Sequence, residues 1–144
     1  MINIILDLIF CFAATLFFAL TINSPKEILI HTSTAASIGY VIYAACSAHI
    51  NITLGFFAGT AFVALMGETF ARKFKMPVTI FIFPAVLPIV PGFGLYETML
   101  AFVKNDIPSA LEIGAATTCN IAAMAIAIAL VSIGAAKMKS EKVN

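Results

Sequence analysis

The chain is apolar almost from end to end. Its apolar runs are interrupted only by short polar stretches: NSPKE at residues 23–27, HIN at 49–51, ARKFK at 71–75 and KND at 104–106. A run of about 20 apolar residues is the length that crosses a bilayer as a helix. Lipid offers no partner to a free N–H or C=O, so such a run must close its own hydrogen bonds. The pattern therefore selects an all-α integral membrane protein. Composition agrees, with 62% hydrophobic and 10% charged residues and a mean hydropathy of +1.07. A small soluble domain is the competing reading, but such domains are about 25% charged.

Five spans are expected, at about residues 3–22, 28–48, 52–70, 77–103 and 113–136, in one transmembrane domain over 1–144. The HIN turn is short enough to make the second and third spans a hairpin. The N-terminal run lacks a basic flank and a small-residue cleavage site, so it reads as a first span and not as a removable signal. Lysine and arginine placement gives the orientation. With five spans, Lys26, Arg72, Lys73, Lys75, Lys137, Lys139 and Lys142 all fall on one side and only Lys104 on the other. The C-terminus is then cytoplasmic and the N-terminus outside. A four-span reading would separate the basic tail from the Arg72 loop.

Several function classes are excluded or disfavoured. A net charge of +1 gives no surface for nucleic acid. Cys11, Cys46 and Cys119 are odd in number and widely spaced, which suits neither a disulfide framework nor a metal site. His31 and His49 lie at span ends without metal-ligand spacing. No Walker A, G-x-S-x-G or H-E-x-x-H pattern occurs, and no cluster supports an enzyme. No cofactor is expected. The loops leave no room for a catalytic domain outside the membrane.

The segment PAVLPIVPG, residues 84–92, conflicts with its surroundings. Proline in a helix interior removes a hydrogen bond and costs about 3 kcal/mol or more. Pro84, Pro88 and Pro91 would strip the helical donors from the carbonyls of Ile80, Pro84 and Leu87. On a continuous helix the three prolines share an arc of roughly 60°. Gly92 and Gly94 then permit a break and a restart with free amides at the new N-terminus. A break of this kind presents carbonyls from one half and amides from the other, as transporters do near the midplane. An amino-acid zwitterion matches both ends. A kink packed on neighbouring helices is the competing reading.

Other polar positions inside the spans carry paired readings. Asp7 is an interfacial carboxylate or a proton-titratable site. Glu68 and Arg72 have the spacing of a helical ion pair, either structural or acting as a gate. Glu97 is buried if the fourth span continues to Val103 and solvated if it does not. Thr117 and Thr118 are expected to bond back to carbonyls of their own helix. Asn120 needs partners, which another helix or a substrate can supply. Gly55, Gly59 and Gly67 in GFFAGTAFVALMG, the small residues of TSTAAS at 32–37 with Gly39, and the Ala-rich IAAMAIAIAL at 121–130 are close-packing signals, within the chain or against a partner.

The stretch GETFARKFKMPVTIFIFPAVLPIVPGFGLYETM, residues 67–99, resembles the small, C-terminal-half subunit of the threonine/serine exporter family. The matching residues are Glu68, Ala71-Arg72, Pro77, Pro88, Pro91-Gly92 and Tyr96; Pro84 belongs less clearly. The resemblance implies export of threonine, serine or related small metabolites across the bacterial cytoplasmic membrane. It also implies a larger partner subunit and use of an ion gradient. On that reading the substrate path runs past Pro84, Pro88, Pro91, Gly92, Gly94 and Tyr96, with Thr117 and Asn120 beside it. Asp7, Glu68, Arg72 and Glu97 are the gating or coupling candidates. Export of dicarboxylates, a non-transporting scaffold for a partner and a small self-sufficient drug-efflux protein are the alternatives.

Overall fold

The structure, a computed structural model, describes residues 2–141, with side chains described for residues 4–137. Lys142 and the side chain of Lys139 lie outside the described residues. Among these residues six helices follow one another: α1 (Ile2–Thr21), α2 (Lys26–His49), α3 (Ile52–Phe74), α4 (Thr79–Val86), α5 (Gly92–Val103) and α6 (Ile107–Glu141). No strand occurs among the described residues. Among the described residues four helices, α1, α2, α3 and α6, are long and apolar enough to cross a membrane.

Turn chemistry sets the boundaries. Asn51 caps α3, its side chain accepting from the Thr53 amide at 2.9 Å. Lys75 ends α3 in the left-handed conformation (φ 55°, ψ 40°), where its amide and that of Met76 close on the Ala71 carbonyl. Asn23 and Asn105 take positive φ in the turns before α2 and α6. Asparagine tolerates that region better than most residues.

α2 and α3 form the expected hairpin, and glycine lets them approach. A Cβ on Gly59 would stand 2.8 Å from the Gly39 carbonyl and from the Tyr43 Cβ. α6 runs parallel to α3. The Thr53 hydroxyl donates to the Asn120 Oδ1 at 2.9 Å, and the Arg72 guanidinium donates to the Ala135 carbonyl at 2.8 Å. The core lies where α2, α3, α4 and α6 meet, at Ala36, Phe56, Val63, Ala85, Ile89 and Met124. A second cluster joins Ile28, Ala71 and Phe81 nearer the basic end. Large apolar side chains such as Phe10, Phe17, Phe83 and Ile133 stand on the outside, as a lipid-facing surface requires.

The expected fourth span, 77–103, is two helices. α4 has 8 residues and α5 has 12, about 12 Å and 18 Å of rise. Neither crosses a bilayer alone. They also keep different company: α4 packs on α1, α2 and α3, while among the described residues α5 packs on α6. The break is therefore where the chain changes neighbours. The expected single proline face does not form, because the helix stops at Val86 before the second proline. α6 is longer than the expected fifth span, starting at Ile107.

Candidate functional site

Each proline of the break has a separate position. Pro84 lies inside α4 and is buried, Pro88 lies in the turn after it, and Pro91 caps α5. The carbonyls differ from expectation accordingly. The Pro84 carbonyl recovers a donor, the Leu87 amide at 3.4 Å. The Val86 carbonyl takes both the Ile89 and Val90 amides, at 2.8 and 3.2 Å. The Leu87 carbonyl receives no backbone amide among the described residues. Pro84 has no N–H to give to Ile80.

The restart is an inverse γ-turn. Pro91 has φ −74° and ψ 61°, and the Gly92 amide donates to the Val90 carbonyl at 2.7 Å. The Leu95 amide then bonds the Pro91 carbonyl and opens α5. The Phe93 and Gly94 amides remain as helix-end donors without a backbone acceptor among the described residues. Neither glycine has positive φ, so neither serves a left-handed turn. Their surroundings explain them differently. A Cβ on Gly94 would collide with the Thr117 side chain of α6. A Cβ on Gly92 would meet nothing within 4 Å among the described residues.

The structure thus brings Gly94 and Thr117 together beside the restart, with Asn120 three residues further along α6. Thr117 is buried and its hydroxyl donates to the Ile113 carbonyl at 2.8 Å; Thr118 does the same to Gly114 at 2.7 Å. Asn120 is held by Thr53, so helix-to-helix bonding accounts for its carbonyl oxygen. Tyr96 is 62% exposed and lies two residues from Gly94, on the side of α5 away from α6. Glu97 is half-buried.

The coupling candidates lie elsewhere. Arg72 turns to the Ala135 carbonyl and forms no ion pair with Glu68, because that carbonyl of the parallel α6 lies within its reach. Asp7 sits at the opposite end, in a cleft of about 260 Å³ shared with Tyr40, Ala44 and His49. Thr53, the partner of Asn120, is not among the residues singled out from the sequence, and Thr32, Ser33 and Ser37 stand there only as small packing residues. Ser37 in fact donates to the Leu8 carbonyl of α1 at 3.1 Å. The hydroxyls within TSTAAS were the available signal. No group of three or more His, Cys, Asp or Glu could hold a metal among the described residues.

Four long apolar helices with an interrupted pair of shorter ones, among the described residues, define a multi-pass membrane protein. The family model described as "Threonine/Serine exporter, ThrE" matches residues 7–133, and the chain belongs to that family. Neither a curated protein nor a solved structure matches it.

Proposed function

We propose that the chain is a subunit of an exporter for small polar metabolites of the threonine or serine kind, working with a larger membrane subunit of the same family. The observation that carries the reading is the break between α4 and α5. An uncovered carbonyl at Leu87 and uncovered amides at Phe93 and Gly94 flank a glycine with open space over its Cα. Irregular backbone at membrane depth is tolerated against protein or water, and a ligand fills the same need. An ammonium suits the carbonyl side and a carboxylate suits the helix N-terminus.

On this reading α4 and α5 together make the fourth of five spans, and the basic end faces the cytoplasm of a bacterial inner membrane. Lys26, Arg72, Lys73, Lys75 and Lys137 support it, because the antiparallel α2/α3 hairpin and the Arg72–Ala135 bond gather them at one end. Pro84, Pro88, Pro91, Gly92 and Gly94 form the path with Thr117 and Asn120 beside it, and Tyr96 faces the partner or the lipid. Glu68, Arg72, Glu97 and Asp7 are gating or coupling positions at its two ends.

The test is efflux from loaded cells expressing the chain with and without its partner. Threonine efflux that needs both chains, and that falls in Pro91→Ala while the complex assembles, supports the reading. Unchanged efflux in assembled Pro91→Ala complexes removes the break from the substrate path. Succinate leaving in place of threonine transfers the site to dicarboxylates.

A further inference from the structure

Six threonines of the chain behave as hydroxyls in membrane helices commonly do. Thr21, Thr34, Thr69, Thr98, Thr117 and Thr118 each donate to the carbonyl four residues back, at 2.7–2.9 Å. Thr15, Thr32 and Ser33 do not. They are 0%, 1% and 0% exposed, and their hydroxyl oxygens have no hydrogen-bond partner among the described residues. Buried polar atoms are almost always partnered, so three together call for a reason.

The helix registers bring these three to one level. The Ser37–Leu8 bond and the short turn before Lys26 make α1 and α2 antiparallel, with Thr15 opposite residues 30–32 of α2. Ile28 shares a cluster with Phe81, and Ala36 shares one with Ala85 and Ile89. α2 and α4 therefore run parallel, with Thr32 and Ser33 level with residues 82–85 of α4. At 100° per residue the directions follow. His31 packs on Phe70 and Phe74 of α3, and Ser33 shares the α1-facing side with Ser37. Thr32 lies between these faces, toward α4. Pro84, buried at the same level, withholds its donor from the Ile80 carbonyl. The registers thus put three hydroxyls and one carbonyl at the junction of α1, α2 and α4, within about one helical turn of one another along the axes.

We propose that Thr15, Thr32, Ser33 and the Ile80 carbonyl bind a dehydrated monovalent cation of the size of Na⁺. Hard cations take oxygen ligands, and divalent ions take carboxylates among them. A set of neutral oxygens carries no charge to offset a second positive charge, so it selects a single one. Carbonyls freed at helix irregularities coordinate Na⁺ in transporters. At the basic end a cleft of about 310 Å³, lined by Asn23, Ser24, Pro25, Thr79, Ile80 and Phe83, opens beside the residue that supplies the carbonyl. The site is separate from the α4–α5 break and does not depend on which metabolite passes there.

The experiment measures thermal unfolding of the purified full-length chain in lipid nanodiscs, in NaCl, KCl or choline chloride at equal ionic strength. A cation bound only by the folded state raises the melting temperature with concentration. Na⁺ should raise it above choline and K⁺. Ser33→Ala and Thr15→Val should weaken the apparent Na⁺ affinity about tenfold or more, the loss of one good ligand. Thr15→Ser, which keeps the hydroxyl, should retain the affinity and shows that the site tolerates substitution. Thr60→Val removes another buried, unpartnered hydroxyl, one on α3, and should leave the Na⁺ response unchanged. No Na⁺-specific shift in the unmodified chain would overturn the proposal, with water filling the junction instead. So would a Na⁺ shift that survives in Ser33→Ala and Thr15→Val.

Discussion

Gly92 and Gly94 stand in the same turn of α5 and answer to different demands. Gly94 is required by packing, since a methyl group there runs into Thr117. Gly94→Ala should destabilise the fold by about 1–3 kcal/mol, the usual cost of overpacking. Thr117→Ala removes the colliding atoms, so the double variant should recover much of that loss; a denaturation series with all four proteins measures the coupling. Gly92 has open space over it and an ordinary φ, so the fold asks nothing of it. Gly92→Ala should fold at least as well as the unmodified chain, gaining up to about 0.5–1 kcal/mol from helix propensity. A loss of transport in that variant is then a loss of function alone. Pro84 is the third instructive residue. Its cost to α4 was readable from the sequence, but the recovery of its own carbonyl by Leu87 was not, because that depends on where the helix stops.

At the scale of elements, the hairpin of α2 and α3 was legible because its signals are local. Asn51 is a capping residue at a turn, and Gly55 and Gly59 have helical close-packing spacing. Gly59→Ala should cost about 1–3 kcal/mol, since the Gly39 carbonyl lies on rigid backbone. Lys75→Gly should raise stability by a fraction of a kcal/mol to about 1 kcal/mol, because the left-handed cap disfavours a side chain. The division of the expected fourth span between two sets of neighbours was not legible. Composition is equally apolar on both sides of the prolines, so only the packed structure assigns α4 to α1, α2 and α3 and α5 to α6. The same limit applies to Arg72. Its spacing from Glu68 suggested a pair, whereas its bond is to Ala135, 63 residues away. Arg72→Met should weaken the α3–α6 contact by about 1.5–3 kcal/mol, the range for a hydrogen bond to a charged group, read as a lower melting temperature.

At the scale of the molecule, an apolar exterior, a polar break between two short helices and one basic end form a consistent arrangement. The proposed orientation has a direct check. A fluorescent protein fused after Asn144 should fluoresce, and alkaline phosphatase at the same place should be inactive; the reverse pattern would invert the topology. α4 joins the hydroxyl junction with α1 and α2 to the α4–α5 break. The central claim, that substrate passes the break, comes down to one measurement. Threonine efflux is followed from proteoliposomes holding the chain and its partner, with Gly92→Ala compared against the unmodified protein at matched melting temperature and assembly. The account predicts that Gly92→Ala loses most of the efflux while remaining fully folded. Efflux equal to that of the unmodified protein would contradict it and leave the break as a packing feature.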